Sequence, residues 1–413
     1  MSDESTVTLF QDPRAWEDMA AWHEQVAELR RDTPIVSVDH PDFEHYWVLT
    51  RHADVFDVER HPDLWRNTAQ SALMSSSEWN DAMATGITPK ALVHLDGEEH
   101  RAHRKVANDW FKPSATARWQ ERIDQIADEY IETMRELDGR CDFAIDVAQP
   151  FTLRVIMEIY GVPREDEPMM LELTQGMFGG SDPEFMGDAE DPIASALASV
   201  MTFIQYFNEM TEDRRACPQD DLGSIIANGE VDGCPISDEH RLWYYIIVAT
   251  AGHDTTSFGL TGGLRELIER PDQFAALRDD PSLIVNATEE IIRWTSPVRH
   301  MLRTAEEDTR VGDVDMPAGS RVLLSYPSAN RDEAVFERSM EFDVRRPDAD
   351  KLLSFGLGPH FCLGAHFARR EIRTMIGKLA DQLDFIGLAG EPTDARAHFV
   401  GGTKHLPIEY RFR

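Results

Sequence analysis

The stretch FGLGPHFCLGAHFARREI, Phe355 to Ile372, sets one cysteine, Cys362, in a glycine-punctuated loop that opens a helix. Gly356, Gly358 and Pro359 can build a tight turn, and Gly364 lets a flat ligand approach the backbone. An apolar run with an arginine cluster follows. A cysteine at a helix N-terminus sees unpaired N–H groups and the positive end of the helix dipole, both of which favour charged sulfur over thiol. Cys362 is therefore a candidate thiolate metal ligand, set against the bland alternative of an inert buried thiol. The other cysteines, Cys141, Cys217 and Cys234, are scattered without CxxC pairing, which argues against zinc sites and against a disulfide framework.

Working outward, the 413 residues lack a low-complexity or Ser/Gly-rich linker, so one domain spanning 1–413 is expected. The 41 Lys and Arg stand against 75 Asp and Glu, a formal charge of −34 that disfavours nucleic acid and anionic membranes as partners. The N-terminus has no basic region followed by an apolar one, and the longest apolar run, near Leu242 to Gly252, is about half the roughly 20 residues a spanning helix needs. A cytoplasmic protein without an anchor is expected.

Strand-like alternation marks Pro34 to Val38, His45 to Thr50, Arg321 to Ser325 and Thr403 to Arg411. Helical periodicity covers roughly Glu98 to Phe111, Ala115 to Glu136, Pro192 to Arg214, Asp238 to Glu269, Pro281 to Thr295 and Leu363 to Leu383. The expected fold is mainly α with small β-sheets near both ends. Residues 67–89 and 163–192 have no clean period and read as mobile loops or short helices.

Within YYIIVATAGHDTTSFGLTGGL, Ile247, Ala251, Asp254 and Phe258 share one helical face, so Asp254 lies on an apolar stripe. A carboxylate there costs free energy unless paired or used. Thr255 can bond back to a carbonyl one turn earlier, near Gly252, which predicts a local kink that admits water or a ligand. His253 reads as a structural or tuning residue. Farther on, Asp280 and Pro281 cap a helix on which Glu290 and Arg293 share a face, and Ile291, Ile292 and Trp294 suggest burial of that pair.

The cysteine stretch resembles the haem-binding loop of the cytochrome P450 monooxygenases, FxxGxHxCxGxxxAR, met by Phe355, Gly358, His360, Cys362, Gly364, Ala368 and Arg369. Ala251, Gly252, Asp254, Thr255 and Thr256 match the AGxDTT signature, and Glu290 and Arg293 match ExxR, with Arg346 of FDVRRP as the accompanying meander arginine. The resemblance implies the single-domain P450 fold of the bacterial type, with haem b bound through Cys362. It implies that Asp254 and Thr255 relay the two protons that cleavage of the O–O bond requires. It makes Glu290, Arg293 and Arg346 a fold-holding network, and 67–89 and 163–192 the lid over the substrate.

Haem propionates need cationic or hydrogen-bonding partners. By motif position these are His100, Arg104, Arg303 and His360, with Arg299 a weaker candidate, while Phe355, Gly356, Gly364 and Ala251 would line the macrocycle. The implied pocket is apolar: Ile247, Thr250, Ala251, Val298, Met301 and Val400, with Met74, Trp79 and Met83 from the lid. LLSYPSANRDEAVF and HFVGGTKHLP are most similar to terpineol-hydroxylating members and their relatives acting on terpenoids or aromatic hydrocarbons, so a compact hydrophobic substrate is expected. Electrons would come from NAD(P)H through a reductase and an iron–sulfur ferredoxin. Arg101, Lys105, Lys112, Arg370 and Arg373 are candidates for the basic patch that docks it; ordinary solvated cations are the alternative. Two other functions compete: a haem-thiolate protein that only binds or senses a ligand, and a peroxide-driven oxygenase. An intact acid–alcohol pair speaks against both.

Overall fold

The computed structural model describes residues 4–67, 70–84, 88–178, 182–186 and 192–413. The helices that carry the argument are α1 (Gly97–Asn108), α2 (Gln149–Tyr160), α3 (Glu167–Phe178), α4 (Asp238–Ala251), α5 (Asp254–Glu269), α6 (Ile284–Thr295) and α7 (Ala365–Gln382). A five-stranded sheet joins residues 35–66 to residues 300–325: Ile35–His40, Phe43–Leu49, Arg321–Ser325, His300–Ala305 and Trp65–Arg66 lie side by side in that order. A second sheet sets Leu383–Leu388, Pro407–Phe412 and Arg140–Asp142 together. The mainly α architecture with small sheets is as expected. The lid segments hold helices Ser76–Ala84, α3 and Pro183–Met186; residues 68–69, 85–87, 179–181 and 187–191 of them lie outside the described residues.

Two elements differ from expectation for clear reasons. Helix α2 has no amphipathic stripe because nine of its residues, from Phe151 to Tyr160, are buried, so its sequence shows no polar face. The expected helix from Asp238 to Glu269 is two: α4 ends at Ala251 and α5 begins at Asp254. Thr255 Oγ1 donates to the Ala251 carbonyl at 2.9 Å and Thr256 Oγ1 to that of Gly252 at 3.1 Å, so hydroxyls occupy carbonyls at the break.

The deepest polar contacts surround Glu290. Its carboxylate accepts from Arg293 Nε (2.6 Å) and Nη2 (2.8 Å), from Arg346 Nε (3.1 Å) and from the Asp343 backbone N–H (2.9 Å). Arg293 donates onward to the carbonyls of Asn330 and Ser339, and Arg346 to those of Glu337, Arg338 and Glu341. All three side chains are buried. Helix α6 is thereby fastened to the irregular segment before the cysteine loop. Asp280 caps the preceding turn through the Ser282 N–H, as the sequence predicts.

A second network ties Pro183–Met186 to the C-terminal strand Thr403–His405. His405 Nδ1 lies 2.6 Å from Asp142 Oδ2 and Nε2 lies 2.8 Å from Glu184 Oε1, while Lys404 Nζ bonds Asp182 at 2.8 Å. Burial alone would lower the His405 pKa, but the hydrogen bonds its ring donates to both carboxylates raise it above its ordinary value.

Arg293→Ala leaves the Glu290 charge buried with Arg346 alone, and urea titration is expected to show a loss of about 3–5 kcal/mol or failure to fold. For His405, a folded pKa above the unfolded one means its contribution is complete below the unfolded pKa and disappears as pH rises through the folded pKa. His405→Gln should therefore lower the melting temperature clearly at about pH 5.5 and much less at about pH 9.

Candidate functional site

The cysteine loop is built by backbone bonds and two left-handed glycines. Gly356 and Gly358 sit at φ +63° and +65°, where a side chain would be strained, and the Cys362 N–H donates to the Phe355 carbonyl at 2.8 Å. Glu59 fills the space behind them: a Cβ on Gly356 would lie 3.1 Å from its Oε1, and one on Gly358 3.0 Å from its carbonyl oxygen. Helix α7 starts three residues after Cys362, and the backbone N–H groups of Gly364 and Ala365 point at the sulfur.

The Cys362 side chain has accessible surface, yet enough protein surrounds it that burial raises its thiol pKa, against the pull of those N–H groups and of Arg104 and Arg369. Both properties hold together when the sulfur looks into an internal cavity rather than bulk water. Ala251 is likewise exposed although its neighbours Ala249, Thr250 and His253 are buried. A Cβ on Gly364 would meet no atom within 4 Å. These are the marks of a cradle for a flat ligand.

Cations collect beside the loop. Arg104 Nη2 donates to the Phe361 carbonyl at 2.6 Å, and the His100 and His360 rings lie 4.1 Å apart. His100 is buried and neither ring nitrogen has a hydrogen-bond partner. Burial, then the charges of His360 and Arg104, push its pKa down to about 3, so it is a neutral donor in need of an acceptor. Asn67 Nδ2 lies 3.1 Å from His360 Nδ1, and His360 Nε2 is 3.4 Å from Asp96 Oδ1. Arg303 Nη2 is 3.3 Å from Glu59 Oε1, which also accepts from Tyr326 Oη at 2.6 Å. Arg299 serves elsewhere: fully buried, it lies over the Trp16 ring at 4.4 Å and donates to the Ala397 carbonyl. A carboxylate-bearing macrocycle fits this donor set, with His100 unpartnered and Arg104 and Arg303 nearby.

At the helix break, His253 is fully buried and its Nε2 lies 3.1 Å from both Asp254 Oδ1 and Thr174 Oγ1, the latter on α3. Thr152 of α2 donates to the His253 carbonyl at 3.1 Å. His253 thus sits between Asp254 and Thr174, a residue of one of the segments expected as a lid. Of the expected pocket residues, Ile247, Val298, Met301 and Val400 are partly exposed, and Val298 pairs with Val400 in an isolated bridge. Thr250 is buried with its hydroxyl spent on the Ile246 carbonyl at 2.7 Å, so it offers no polar group. Met74 and Trp79 are partly exposed and Met83 is exposed.

Residues 61–392 match the family model described as Cytochrome P450.

The chain belongs to the cytochrome P450 family.

It is 36% identical over 410 residues to Cytochrome P450-terp of a Pseudomonas species, covering 96% of this chain and 95% of the relative. It is 30% identical to the linalool 8-monooxygenase of Pseudomonas putida, over 94% and 95% of the two chains. The crystal structure of CYP108D1 from Novosphingobium aromaticivorans superposes with a TM-score of 0.93 at 36% identity, covering all of both chains. This P450 is accordingly a monooxygenase of the haem-thiolate class, which sets the binding-only reading aside. Among the described residues no helix is long and apolar enough to cross a membrane.

Several contacts around the P450 site were not expected from sequence. Arg369 is bidentate to Glu289 at 2.7 and 2.8 Å and stacks over Phe355 at 4.5 Å, so the residue beside Glu290 anchors α7. The partners Glu59, Tyr326, Asn67 and Thr174 were also missed. Of the five patch candidates, Arg101, Lys105 and Lys112 are exposed; Lys112 pairs with Asp109 at 2.6 Å. Arg370 and Arg373 are only partly exposed, and Arg370 Nη1 donates to Gln120 Oε1 at 2.8 Å.

Proposed function

We propose that the Cys362 thiolate would hold the iron of a b-type haem and that the protein hydroxylates a compact hydrophobic terpenoid or a related alicyclic or aromatic hydrocarbon. The observation that carries this reading is Cys362 itself: accessible although surrounding protein raises its thiol pKa, and faced by the N–H groups of Gly364 and Ala365. Those donors hold a thiolate for the iron. Bound there, the haem supplies activation of dioxygen and insertion of one oxygen atom into a C–H bond, the other leaving as water. His100, Arg104 and Arg303 hold the propionates; His360 acts beside them by packing on His100. Phe355, Gly356, Gly364 and Ala251 bound the flat faces.

Asp254 is partly accessible, so it can take up protons, and the neighbouring Thr255 hydroxyl can pass them into the cavity beside Ala251. Ile247, Val298, Met301 and Val400 offer apolar surface with no polar side-chain group, and Thr250 adds only its methyl, which favours substrates held by shape. The terpene-related names of Cytochrome P450-terp and linalool 8-monooxygenase support the same class. Electrons arrive from NAD(P)H through a ferredoxin reductase and an iron–sulfur ferredoxin docking on Arg101, Lys105 and Lys112.

Cys362→His is expected to abolish the red-shifted carbonyl absorbance of the reduced protein; an unchanged spectrum refutes the ligand. With a reductase and ferredoxin supplied, Asp254→Asn and Thr255→Ala should each cut product formed per NAD(P)H consumed roughly 10-fold or more. Equal yields with peroxide alone would favour the peroxide-driven reading. Terpenoid alcohols and hydrocarbons should shift the haem spin state at lower concentration than steroid-sized ligands. Reversing Arg101 and Lys105 to Glu should slow reduction by ferredoxin at low salt and converge with wild type at high salt, as measured by stopped flow.

A further inference from the structure

We propose that Glu99, His103 and His240 form a binding site for one divalent transition-metal ion of the zinc class, joining α1 to the start of α4. Glu99 and His103 stand one turn apart on α1, and His240 is the third residue of α4, so two helices from distant parts of the chain supply the set. One ligand atom from each residue lies within 4.8 Å of the other two, and His240 Nε2 is 3.2 Å from Glu99 Oε1. Bonds of about 2.0–2.1 Å in a tetrahedron place ligand atoms roughly 3.3 Å apart, so side-chain rotations alone close the site. Among the described residues this is the only cluster of its kind.

The outer contacts prepare both imidazoles. His103 Nδ1 lies 2.8 Å from the Glu99 backbone carbonyl, which can only accept. The proton must therefore sit on Nδ1, leaving the Nε2 lone pair for a metal. His240 Nδ1 lies 2.8 Å from Ser237 Oγ. That hydroxyl can rotate: it donates to Nδ1 while Nε2–H faces Glu99, and accepts from Nδ1–H once Nε2 is a ligand. The rings stack at 4.1 Å with 28° between their planes, so neither must cross the other to converge.

Access and charge suit a cation from solution. His103 is buried and His240 nearly so, whereas Glu99 is 56% exposed and forms the open side. Lys90, the nearest cation, is neutralised by Glu239 at 2.7 Å, and Arg241 by Asp238 at 2.8 Å. Two imidazoles and one carboxylate with an open fourth position suit Zn²⁺, Co²⁺, Ni²⁺ or Cu²⁺ rather than Mg²⁺ or Ca²⁺.

The test uses untagged holoprotein, with Cys217 and Cys234 changed to Ser, dialysed against chelator and titrated with Zn²⁺ by calorimetry and thermal melting. One equivalent is expected to bind saturably and raise the melting temperature, with Mg²⁺ giving neither effect. His240→Ala and His103→Ala should each weaken binding more than about 100-fold, beyond the 10- to 100-fold range of losing an outer-shell partner, and Ser237→Ala should fall inside that range. Each variant keeps the wild-type haem spectrum, and His240→Ala carries the test if His103→Ala fails to fold. Absence of one-equivalent binding, or binding undiminished in His240→Ala, overturns the site.

Discussion

One buried carboxylate, Glu290, takes hydrogen bonds from two guanidiniums and a backbone N–H with no water between them. Taking three ions out of solvent is expensive, and the attraction repays this only because each remaining donor finds a carbonyl. The gain is in position as much as in energy. The carbonyls belong to 330–341, the irregular stretch that leads into the cysteine loop, so this stretch needs no regular secondary structure to be held. Glu289, about 100° round the same helix, clasps Arg369 on α7. Two consecutive acids on α6 therefore grip the chain before the loop and after it, and Cys362 is suspended between two fastened ends.

The opposite wall of the cavity is made by withholding regular structure. Helix α4 stops at Ala251, and the hydroxyls of Thr255 and Thr256 bond to carbonyls at the break. Fully buried His253 places its Nε2 3.1 Å from both Asp254 Oδ1 and Thr174 Oγ1, so one imidazole spaces α5 from α3 at the break.

What was legible in the sequence was local. The loop glycines, the AGHDTT break, the capped helix carrying Glu290 and Arg293, and the outer strands all follow from spacing within a few residues. What was not legible joins residues far apart: Glu59 with Arg303, Thr174 with His253, and Asn67 with His360 are separated by 244, 79 and 293 positions. Periodicity has no access to such pairs. Nor does counting charges reveal that Arg370 Nη1 donates to Gln120 Oε1 across the fold at 2.8 Å. His360 shows the same limit at the level of chemistry: its ring nitrogens meet Asn67 and Asp96, neighbours that its motif position does not reveal.

Helix α1 brings these themes together because it carries two one-turn pairs in adjacent registers. His100 and Arg104 face the cysteine loop; Glu99 and His103, rotated by about 100°, face α4 and the surface. A rigid helix transmits rotation, so whatever pins the outer pair also restricts the inner one. Arg104 is bonded to Phe361, the residue before the cysteine, at 2.6 Å. The path from the surface of α1 to the sulfur-bearing loop is therefore one helix wide and one hydrogen bond long, and the exposed Arg101 and Lys105 lie on that same helix.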